Sequence, residues 1–351
     1  MLGTAIAIPG QVMAQGAQGR LEEIVVTAQR RAENLQEVPI AVSAITGDSL
    51  RNSGVEVSRD LPQVVPSVQF TRSGPSGLFF IRGVGTTNAA AGEEGANAFY
   101  VDDVYLGDLS QTINEFNNIE RIEVLKGPQG TLFGRNATGG LVHIITREPT
   151  DETVVSGEVG YGNYNTFNAK LYVAGPLTDN VKADLALTAK DQKDGWGRNL
   201  TLDRDNKVQE FWGARSKVVI EPNDTVKLTL SGDYFDNEDN IGLAWKLDPG
   251  TVGTGGFTGP GGHDTTANEY SLTDLEIWGL GFKAEVDLGF ADFTSLSAYR
   301  KTDNHSFFDV DGGPLDLIKI VYDSGLESFQ QEFRLASTDT ENLSWQVGAF
   351  Y

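Results

Sequence analysis

The most informative stretch of the chain is NIERIEVLKGPQGTLFGRNATGGLVHIITR, residues 118–147. Within it, Ile122 and Val124 recur with the two-residue period of a half-buried strand. A cluster of turn residues at 126–130 then interrupts that strand. A second run, 141–146, is rich in β-branched residues, which favour strands. The stretch therefore predicts strand, tight turns and strand.

Three glycines, Gly134, Gly139 and Gly140, lie between these two runs. Glycine is favoured where the backbone needs a positive φ or passes very close to another segment. We therefore expect either a positive φ or a close approach of the backbone at each of these three positions. With its glycines in register, IERIEVLKGPQGTLFGRNATGG resembles the signature of the plug domain of TonB-dependent outer-membrane receptors, E-R-I-E-V-[LI]-[KR]-G-P…L-[YF]-G…G-G-x-[IV]. The resemblance extends over some thirty residues.

Two shorter elements upstream are similar to the same family. FIRGVG at 80–85 resembles its IRG element, and YVDDVY at 100–105 resembles its Y-[VI]-D-G-V-Y element. Asp103 stands where the family usually has glycine, so the turn there is expected to differ. The resemblance implies a small α+β plug domain, assigned here to residues 35–150.

Composition narrows the function classes. The chain has 351 residues, 41 glycines, no cysteine and a formal charge of −22, so disulfides and thiolate metal sites are excluded. A strongly acidic chain is unsuited to nucleic acid, because phosphate binding needs clustered Lys and Arg. Residues 21–148 carry a balance of −6 and residues 149–351 one of −17, so the second part is the more acidic.

The N-terminal residues predict that the chain is exported and that it binds a partner protein. Residues 1–19 are apolar and small, and resemble the remnant of a secretory signal peptide. Residues 20–34 then contain a short β-prone stretch, which would be an ordinary edge strand in a soluble protein. At this position the stretch resembles the family's TonB box: Glu22, Glu23, Ile24, Val25, Val26, Thr27 and Ala28. Such a box would bind TonB by adding an extended strand to a sheet edge of the partner.

After residue 150 the pattern changes to segments of about ten residues that alternate strictly between apolar and polar, as barrel strands do. We expect nine strands, at 153–161, 166–175, 181–190, 209–220, 225–235, 275–288, 292–304, 326–336 and 343–351. Short joints alternate with long connections at 191–208, 236–274 and 305–325, which is typical of outer-membrane barrels. No run of ~18 apolar residues exists to form a spanning helix.

The predicted fold class is thus a β-rich membrane protein. A small α+β plug is followed, over 151–351, by antiparallel transmembrane strands of an incomplete barrel, about nine of about 22. An odd strand count does not close a bacterial barrel, so the chain is expected to be a fragment of a longer receptor.

Candidate contact residues follow from the resemblance. Plug arginines of such receptors are typically held by barrel carboxylates, and the candidates for this lock are Arg82, Arg121 and Lys126. Plug loops at 72–76 and 86–97 are rich in small and polar residues, and in the family such loops touch the ligand. The candidates for ligand contact are Arg72, Ser73, Asn88, Glu93 and Glu94.

The sequence offers no catalytic chemistry. GRNATG at 134–139 has phosphate-loop spacing but lacks the following Lys-Ser or Lys-Thr and precedes a strand, so nucleotide binding is rejected. The three histidines, His143, His263 and His305, are isolated, and no nucleophile–base pair or metal site can be assembled around them. The acidic runs at 236–240 and 309–312 do not fit a calcium loop. We therefore expect no enzyme, no cofactor and no metal site.

The resemblance implies energised uptake, across the outer membrane of a Gram-negative cell, of a scarce extracellular ligand. A ferric siderophore is the family's commonest cargo; cobalamin, saccharides and other organic nutrients are the alternatives. The implied partners are TonB with its inner-membrane energising complex, outer-membrane lipid and a small ligand such as a ferric chelate. A passive or adhesive barrel with a binding domain is the rival hypothesis from another class.

Overall fold

A computed structural model of the chain describes residues 24–31, 33–88, 92–113, 115, 117–241, 246–338 and 343–351. The predicted signal-peptide remnant at 1–19 and the TonB-box residues Glu22 and Glu23 therefore lie outside the described residues. Within the described ranges no helix is long and apolar enough to span a membrane.

Residues 24–148 fold into short strands with two α-helices between them. The strands are β1 Val25–Val26, β2 Glu33–Asn34, β3 Val42–Thr46, β4 Val68–Ser73, β5 Ser76–Ile81, β6 Val84–Gly85, β7 Asn97–Val101, β8 Val104–Tyr105, β9 Ile119–Lys126 and β10 Gly140–Thr146. The helices are α1 Gly47–Asn52 and α2 Gly130–Phe133, and 3-10 turns span Ser58–Gln63 and Leu109–Thr112. We call residues 33–148 the plug and residues 24–31 the N-terminal segment.

The plug is built on a mixed sheet of order β3-β9-β10-β7-β8, in which β10 lies between β9, antiparallel, and β7, parallel. The predicted strand, turns and strand are thus β9, the turn containing α2, and β10. Gly134 and Gly140 have φ of 76° and 143°. A Cβ on Gly139 would lie 2.4 Å from the Asn97 side-chain oxygen, so close approach explains that glycine.

The two faces of this sheet carry separate apolar cores. One face packs on α1, the Ser58–Gln63 turn and the β4–β5 hairpin, through residues such as Ile122 and Val142, both 0% exposed. The opposite face carries Leu125 and Leu141 and is covered by the N-terminal segment and α2. The segment is therefore packed on the plug as part of its core.

Residues 154–350 form a second sheet, which we call the wall. Its strands are β11 Val154–Gly162, β12 Thr166–Thr178, β13 Val181–Gln192, β16 Gln209–Asn223, β17 Val226–Asp239, β18 Leu272–Asp287, β19 Ala291–Asp309, β20 Lys319–Ser337 and β21 Gln346–Phe350, while the hairpin β14 Gly197–Asn199 and β15 Arg204–Asn206 lies in the connection after β13. Each wall strand pairs antiparallel with the next. The nine predicted strands and their meander order are confirmed.

The wall alternates in composition between its faces. Outward positions such as Val159 and Leu280 are 74% and 61% exposed, as a lipid-facing surface requires. Inward positions such as Asp184, Lys217 and Arg300 are less than 9% exposed, because the plug and neighbouring strands cover them. The polar face predicted from alternation therefore meets the plug.

The strands extend further into the long connections than predicted. The expected connection 305–325 is mostly strand, because β19 continues to Asp309 and β20 already begins at Lys319. The predicted plug loop 72–76 is also wrong in part, since Arg72 and Ser73 belong to β4 and only the two residues at 74–75 turn the chain. In both places main-chain pairing continues through polar residues that sequence patterns assign to loops.

Candidate functional site

The N-terminal segment holds the described part of the predicted TonB box, Ile24 to Ala28. β1 pairs antiparallel with β2, so one edge of this short strand is already occupied. The side chains of Val26 and Ala28 are 0% exposed against the sheet face that carries Leu125 and Leu141, whereas Val25 is 45% exposed. The segment can add to a partner's sheet only after it separates from the plug.

A polar contact holds the middle of the segment. The Thr27 backbone N–H donates to Glu123 Oε1 at 2.8 Å, and the Thr27 hydroxyl lies 3.3 Å from the same oxygen. Glu123 is fully buried on β9, and Arg121 Nε also donates to it at 2.8 Å. Because a buried carboxylate needs such donors, removing Thr27 leaves it less well satisfied.

Arg30 holds the end of the segment. Its side chain is 3% exposed, and its guanidinium carbon lies 5.1 Å and 4.3 Å from the ring centroids of Tyr100 and Phe133. Arg30 Nη1 donates to Asp103 at 2.8 Å, and Nη2 lies 3.6 Å from Glu332 on β20. A planar guanidinium suits this combination of stacking and forked hydrogen bonding. Arg30 thus joins the segment to the plug and to the wall.

The turn between β7 and β8 presents two carboxylates to the wall. Asp102 accepts from the backbone and hydroxyl of Thr146 and lies 3.1 Å from Lys217 Nζ on β16. Burial alone would raise the pKa of Asp102, but Lys217 and the Thr146 hydrogen bonds outweigh burial and lower that pKa. Asp103 lies 3.2 Å from Lys283 Nζ on β18. The carboxylates therefore belong to the plug and the cations to the wall.

His143 lies beneath this turn on β10, 2% exposed. The Asp103 backbone N–H donates to His143 Nε2 at 3.2 Å, which assigns the ring proton to Nδ1. Burial lowers the pKa of His143 and outweighs the opposing charges of Asp103 and Glu123, so the ring is neutral at pH 7. His143 thus lies in the plug sheet and orients the turn above it through this hydrogen bond.

A second ion pair joins plug and wall at the opposite, outer end of the barrel strands. Arg72 on β4 donates to both oxygens of Asp239 at the end of β17, at 2.9 and 3.0 Å. Asp239 is 0% exposed and also accepts from Asn237 and from the backbone of Ile241. Arg72 was predicted to contact ligand, but in this structure its guanidinium is committed to the wall.

The three predicted lock residues have other surroundings. Arg121 pairs inside the plug with Glu120 and Glu123, at 2.6 and 2.8 Å. Lys126 donates to the Ser43 hydroxyl at 2.7 Å, also within the plug, and Arg82 is exposed just after β5 with φ of 52°. The described wall strands are instead held by Arg72, Asp102 and Asp103. A lock through Arg82, Arg121 or Lys126 stays a prediction.

The other predicted ligand-contact residues fall into two groups. Ser73 lies at the tip of the β4–β5 hairpin, opposite Ser76. Asn88 donates to Glu93 at 2.6 Å, and Glu94 lies 2.9 Å from Arg135 and also accepts from Asn136. The polar contacts of the second group are thus made with other residues of the plug. Contact of either group with a ligand stays a prediction.

Sequence reasoning missed the wall lysines as partners. Lys217 and Lys283 lie on inward-facing positions of β16 and β18, and strand alternation identifies Lys283 as belonging to the polar face. The sequence signal for a plug partner is Asp103, which pairs with Lys283 and is a carboxylate in a position that the family motif gives to glycine.

One buried acid lies in a cavity between plug and wall. Glu115 is 9% exposed and forms an antiparallel β-bridge with Val57. The cavity, about 50 Å³, is also lined by Gln111 and Arg300. Burial raises the pKa of Glu115 to about 8, against the opposing charges of Lys190, Arg59 and Lys170. The Gln111 side-chain oxygen is buried without a hydrogen-bond partner among the described residues. The plug thus lines the cavity with the polar side chains of Gln111 and Glu115, and the wall lines it with Arg300.

The acidic runs of the outer connections are occupied by the chain's own donors. Asp309 accepts backbone N–H groups of Asn268, Asp311 and Gly312. In the part of the chain that the structure describes, no group of three or more His, Cys, Asp or Glu side chains is arranged to hold a metal ion.

These features define a class: a plug domain seated against the polar inner face of a transmembrane-type β-wall, with an N-terminal strand packed beneath it. Residues 34–141 match the family model described as "TonB-dependent Receptor Plug Domain". Residues 34–141 are therefore a plug domain of this family, and the fold of the described residues is that of solved outer-membrane uptake receptors.

Three relatives illustrate the similarity. The pesticin receptor of Yersinia pestis is 29% identical over 50% of this chain and 26% of its own length. A vitamin B12 transporter of Photobacterium profundum is 22% identical over 95% of this chain and 51% of its own. The structure of the ferric yersiniabactin uptake receptor FyuA from Yersinia pestis superposes with a TM-score of 0.75 at 19% identity, covering 89% of this chain and 48% of that one. The chain thus spans about a quarter to a half of these relatives.

Proposed function

We propose that this chain acts as a TonB-dependent receptor for energised uptake of a ferric siderophore. The observation that carries the proposal is where the N-terminal segment leaves the plug. Arg30 and Arg31 border a cavity of about 2130 Å³ that is open to solvent and lined by the short turns of the wall, including 179–180 and 222–225. Short turns face the periplasm in such barrels, and the position of the segment beside them supports a role in binding TonB from that side.

The segment's sequence and packing support a partner-binding role. Ile24 to Ala28 is extended and β-prone. Val26 and Ala28 pack on the plug sheet, and the polar anchors are few: Thr27 to Glu123 and Arg30 to Asp103. Arg31 adds a hydrogen bond to the Trp345 backbone oxygen in the last turn of the wall. A strand held in this way can detach without unfolding the plug, and its backbone then becomes available for strand addition.

The siderophore assignment rests on the relatives. The FyuA structure is that of a protein named as a ferric yersiniabactin uptake receptor, and its fold matches 89% of this chain. Cobalamin is the second candidate, because the vitamin B12 transporter matches 95% of this chain. Both ligands are scarce and too large for passive entry, which is the situation energised uptake serves.

The test is uptake by cells that express the receptor with and without residues 22–28. Radiolabelled ferric siderophores and radiolabelled cobalamin are supplied separately, to cells with and without TonB. We expect ferric-chelate uptake that needs both TonB and residues 22–28, with binding at the cell surface retained in the deletion. Uptake that survives the deletion contradicts the TonB-dependent model, and uptake of cobalamin alone replaces the siderophore by the second candidate.

A further inference from the structure

The turn between β7 and β8 has a backbone that favours glycine but carries two aspartates. Asp102 and Asp103 have φ of 47° and 71°, in the left-handed region that side chains seldom occupy. At position 103 the related motif has glycine, which would adopt this conformation without strain. A non-glycine residue held there calls for a compensating contact, and strained positions of this kind cluster at functional sites.

The Asp103 side chain contacts three separate parts of the molecule. One carboxylate oxygen accepts from Arg30 of the N-terminal segment at 2.8 Å, and the other lies 3.2 Å from Lys283 of the wall. The first oxygen also lies 3.6 Å from His143 Nε2 of the plug sheet, to which the Asp103 backbone N–H donates at 3.2 Å. The side chain is 17% exposed, so its charge is only partly screened by water.

The contacts continue as a chain of alternating charge. Lys283 lies 3.0 Å from Glu285 on the same wall strand, and Arg30 lies 3.6 Å from Glu332, which is 3.0 Å from Arg334. Burial alone would raise the pKa of Asp103, but the positive charges of Lys283 and Arg30 outweigh burial and hold that pKa well below its usual range. Asp103 is therefore ionised and occupies the centre of a network that runs from β18 through the segment to β20.

We propose that Asp103 is a positioning residue that fastens the N-terminal segment to the wall, so that the wall as well as the plug controls release of the segment. The inference rests on the proposed role of residues 24–28 as the partner-binding strand. The anchor formed by Thr27 with Glu123 lies entirely between segment and plug, whereas Arg31 contacts the last turn of the wall directly. Through Asp103 the segment is also coupled to Lys283, which belongs to β18.

Asp102 provides a matched control in the same turn. It pairs with Lys217 of the wall at 3.1 Å and with Thr146 of the plug, and no contact joins it to the described N-terminal segment. Both aspartates thus hold plug to wall from adjacent positions with similar backbone strain. Only Asp103 also holds Arg30.

The experiment measures how freely the segment detaches, in the full chain in outer-membrane vesicles without ligand or TonB. The chain has no cysteine, so Val25→Cys places a single thiol on the exposed side chain of β1. The rate of maleimide labelling and the mobile fraction of a spin label are compared for D103N, D103G, D103E and D102N. Leu132→Cys, on the exposed surface of α2, reports separately on unfolding of the plug.

We expect D103N and D103G to raise labelling at position 25 about tenfold, while D102N changes it by less than about twofold and D103E restores part of the protection. Labelling at position 132 is expected to stay unchanged. D103G is the sharpest case, because it relieves the strained backbone, so its loss of thermal stability should be smaller than that of D103N while the segment loosens at least as much. A purely structural role would move stability and release together.

Unchanged labelling at position 25 in D103N and D103G overturns the proposal, and so does an equal rise in D102N. A parallel rise at position 132 assigns the effect to general loosening of the plug and also overturns it. The labelling uses neither ligand nor partner, so its failure leaves the uptake test standing. Conversely, loss of TonB dependence in the uptake test leaves the labelling result intact.

Discussion

The inside of the plug is held mainly by apolar packing, whereas the contact between plug and wall is mainly polar. Inside, two apolar clusters cover both faces of the plug sheet, with side chains such as Ile122, Leu125 and Leu141 fully buried. At the contact, the apolar part is a small cluster of Val104, Leu296 and Ala298. The rest is ion pairs and hydrogen bonds.

The polar contacts are distributed over the height of the wall. Arg72–Asp239 joins the outer end, Gln111 Nε2 donates to the Thr302 hydroxyl at 2.6 Å, and the Tyr105 backbone exchanges two hydrogen bonds with the Gln330 amide. Lys217 and Lys283 hold the β7–β8 turn from the wall side.

This difference explains how the plug can move as a unit without unfolding. Burial of apolar surface is non-directional and dominates the stability of a domain, so the plug persists as a unit. Ion pairs and hydrogen bonds contribute modest net free energy because water can replace each partner when both are exposed together. Separation of plug from wall therefore costs less than unfolding of the plug, provided that the contacts are opened in pairs.

The largest effect is expected inside the plug. Leu141→Ala removes a side chain that is 0% exposed on β10 and should destabilise the plug by about 3–4 kcal/mol through lost burial and a cavity. Hydrogen exchange of the β9 and β10 amides in the purified receptor measures it. The control is Leu132→Ala on α2, 38% exposed, expected to cost less than about 1 kcal/mol. Equal losses for both variants would contradict an apolar origin of plug stability.

The next effect is expected at the outer ion pair. Arg72→Met leaves the buried Asp239 with only Asn237 and Ile241 as donors, and should cost about 3 kcal/mol, the lower end of the range for breaking a buried pair. Hydrogen exchange should rise in the β4–β5 hairpin and stay unchanged in β10. The double variant R72M/D239N should recover most of the loss. A drop in the hydrogen-exchange protection of the β10 amides would show that the plug–wall contact and the plug core do not open independently.

Much of the fold could be predicted from the sequence because its signals are local. The turn glycines between β9 and β10 and the alternation of the wall strands depend on neighbours in sequence, and both predictions are confirmed. The start of α1 is local in the same way, since the Thr46 side chain accepts the Ser49 N–H three residues along the chain. Strand ends were less accurate, since main-chain pairing continues through the polar residues near Asp309 and Lys319.

The contacts of the site could not be predicted in the same way. A charged residue in a sequence reveals its sign but not its partner, and partners such as Arg72 and Asp239 are 167 residues apart. Arg121 was expected to face the barrel, but a buried acid two positions along its own strand, Glu123, lies closer. Asp103 was identified only as a departure from a glycine pattern, and its contacts with Arg30 and Lys283 emerge when three distant segments meet.

A smaller, pH-dependent effect is expected at the plug–wall cavity. Burial raises the pKa of Glu115 to about 8, so the folded chain retains a proton that the unfolded chain releases near its ordinary value. The associated stability is fully present below the unfolded pKa and is lost as pH rises through the folded pKa, about 8. Glu115→Gln should therefore be neutral at pH 4 and stabilising at pH 9, by on the order of 2 kcal/mol.

Thermal unfolding of the purified receptor at a series of pH values measures this difference. The control is Glu120→Gln, whose side chain is 47% exposed beside Arg121 and should give the same small change at every pH. A stabilisation by Glu115→Gln that is equally large at pH 4 would mean that the carboxyl is ionised in the folded chain even there, which contradicts a pKa raised by burial.

The smallest effect is expected where an arginine pair lies in water. Arg51 and Asp48 form an i,i+3 pair on α1 with side chains 55% and 73% exposed, in contrast to Arg72 with a fully buried partner. Arg51→Met should change stability by less than about 0.5 kcal/mol, because solvent screens the pair and ordering two long side chains offsets the attraction. The hydrogen-exchange measurement used for Arg72→Met tests this expectation. The two results can be compared directly because both substitutions replace Arg by Met. If Arg51→Met destabilises the chain as much as Arg72→Met does, the contribution of an ion pair to stability does not depend on its burial. That result would contradict the difference drawn here between buried and exposed contacts.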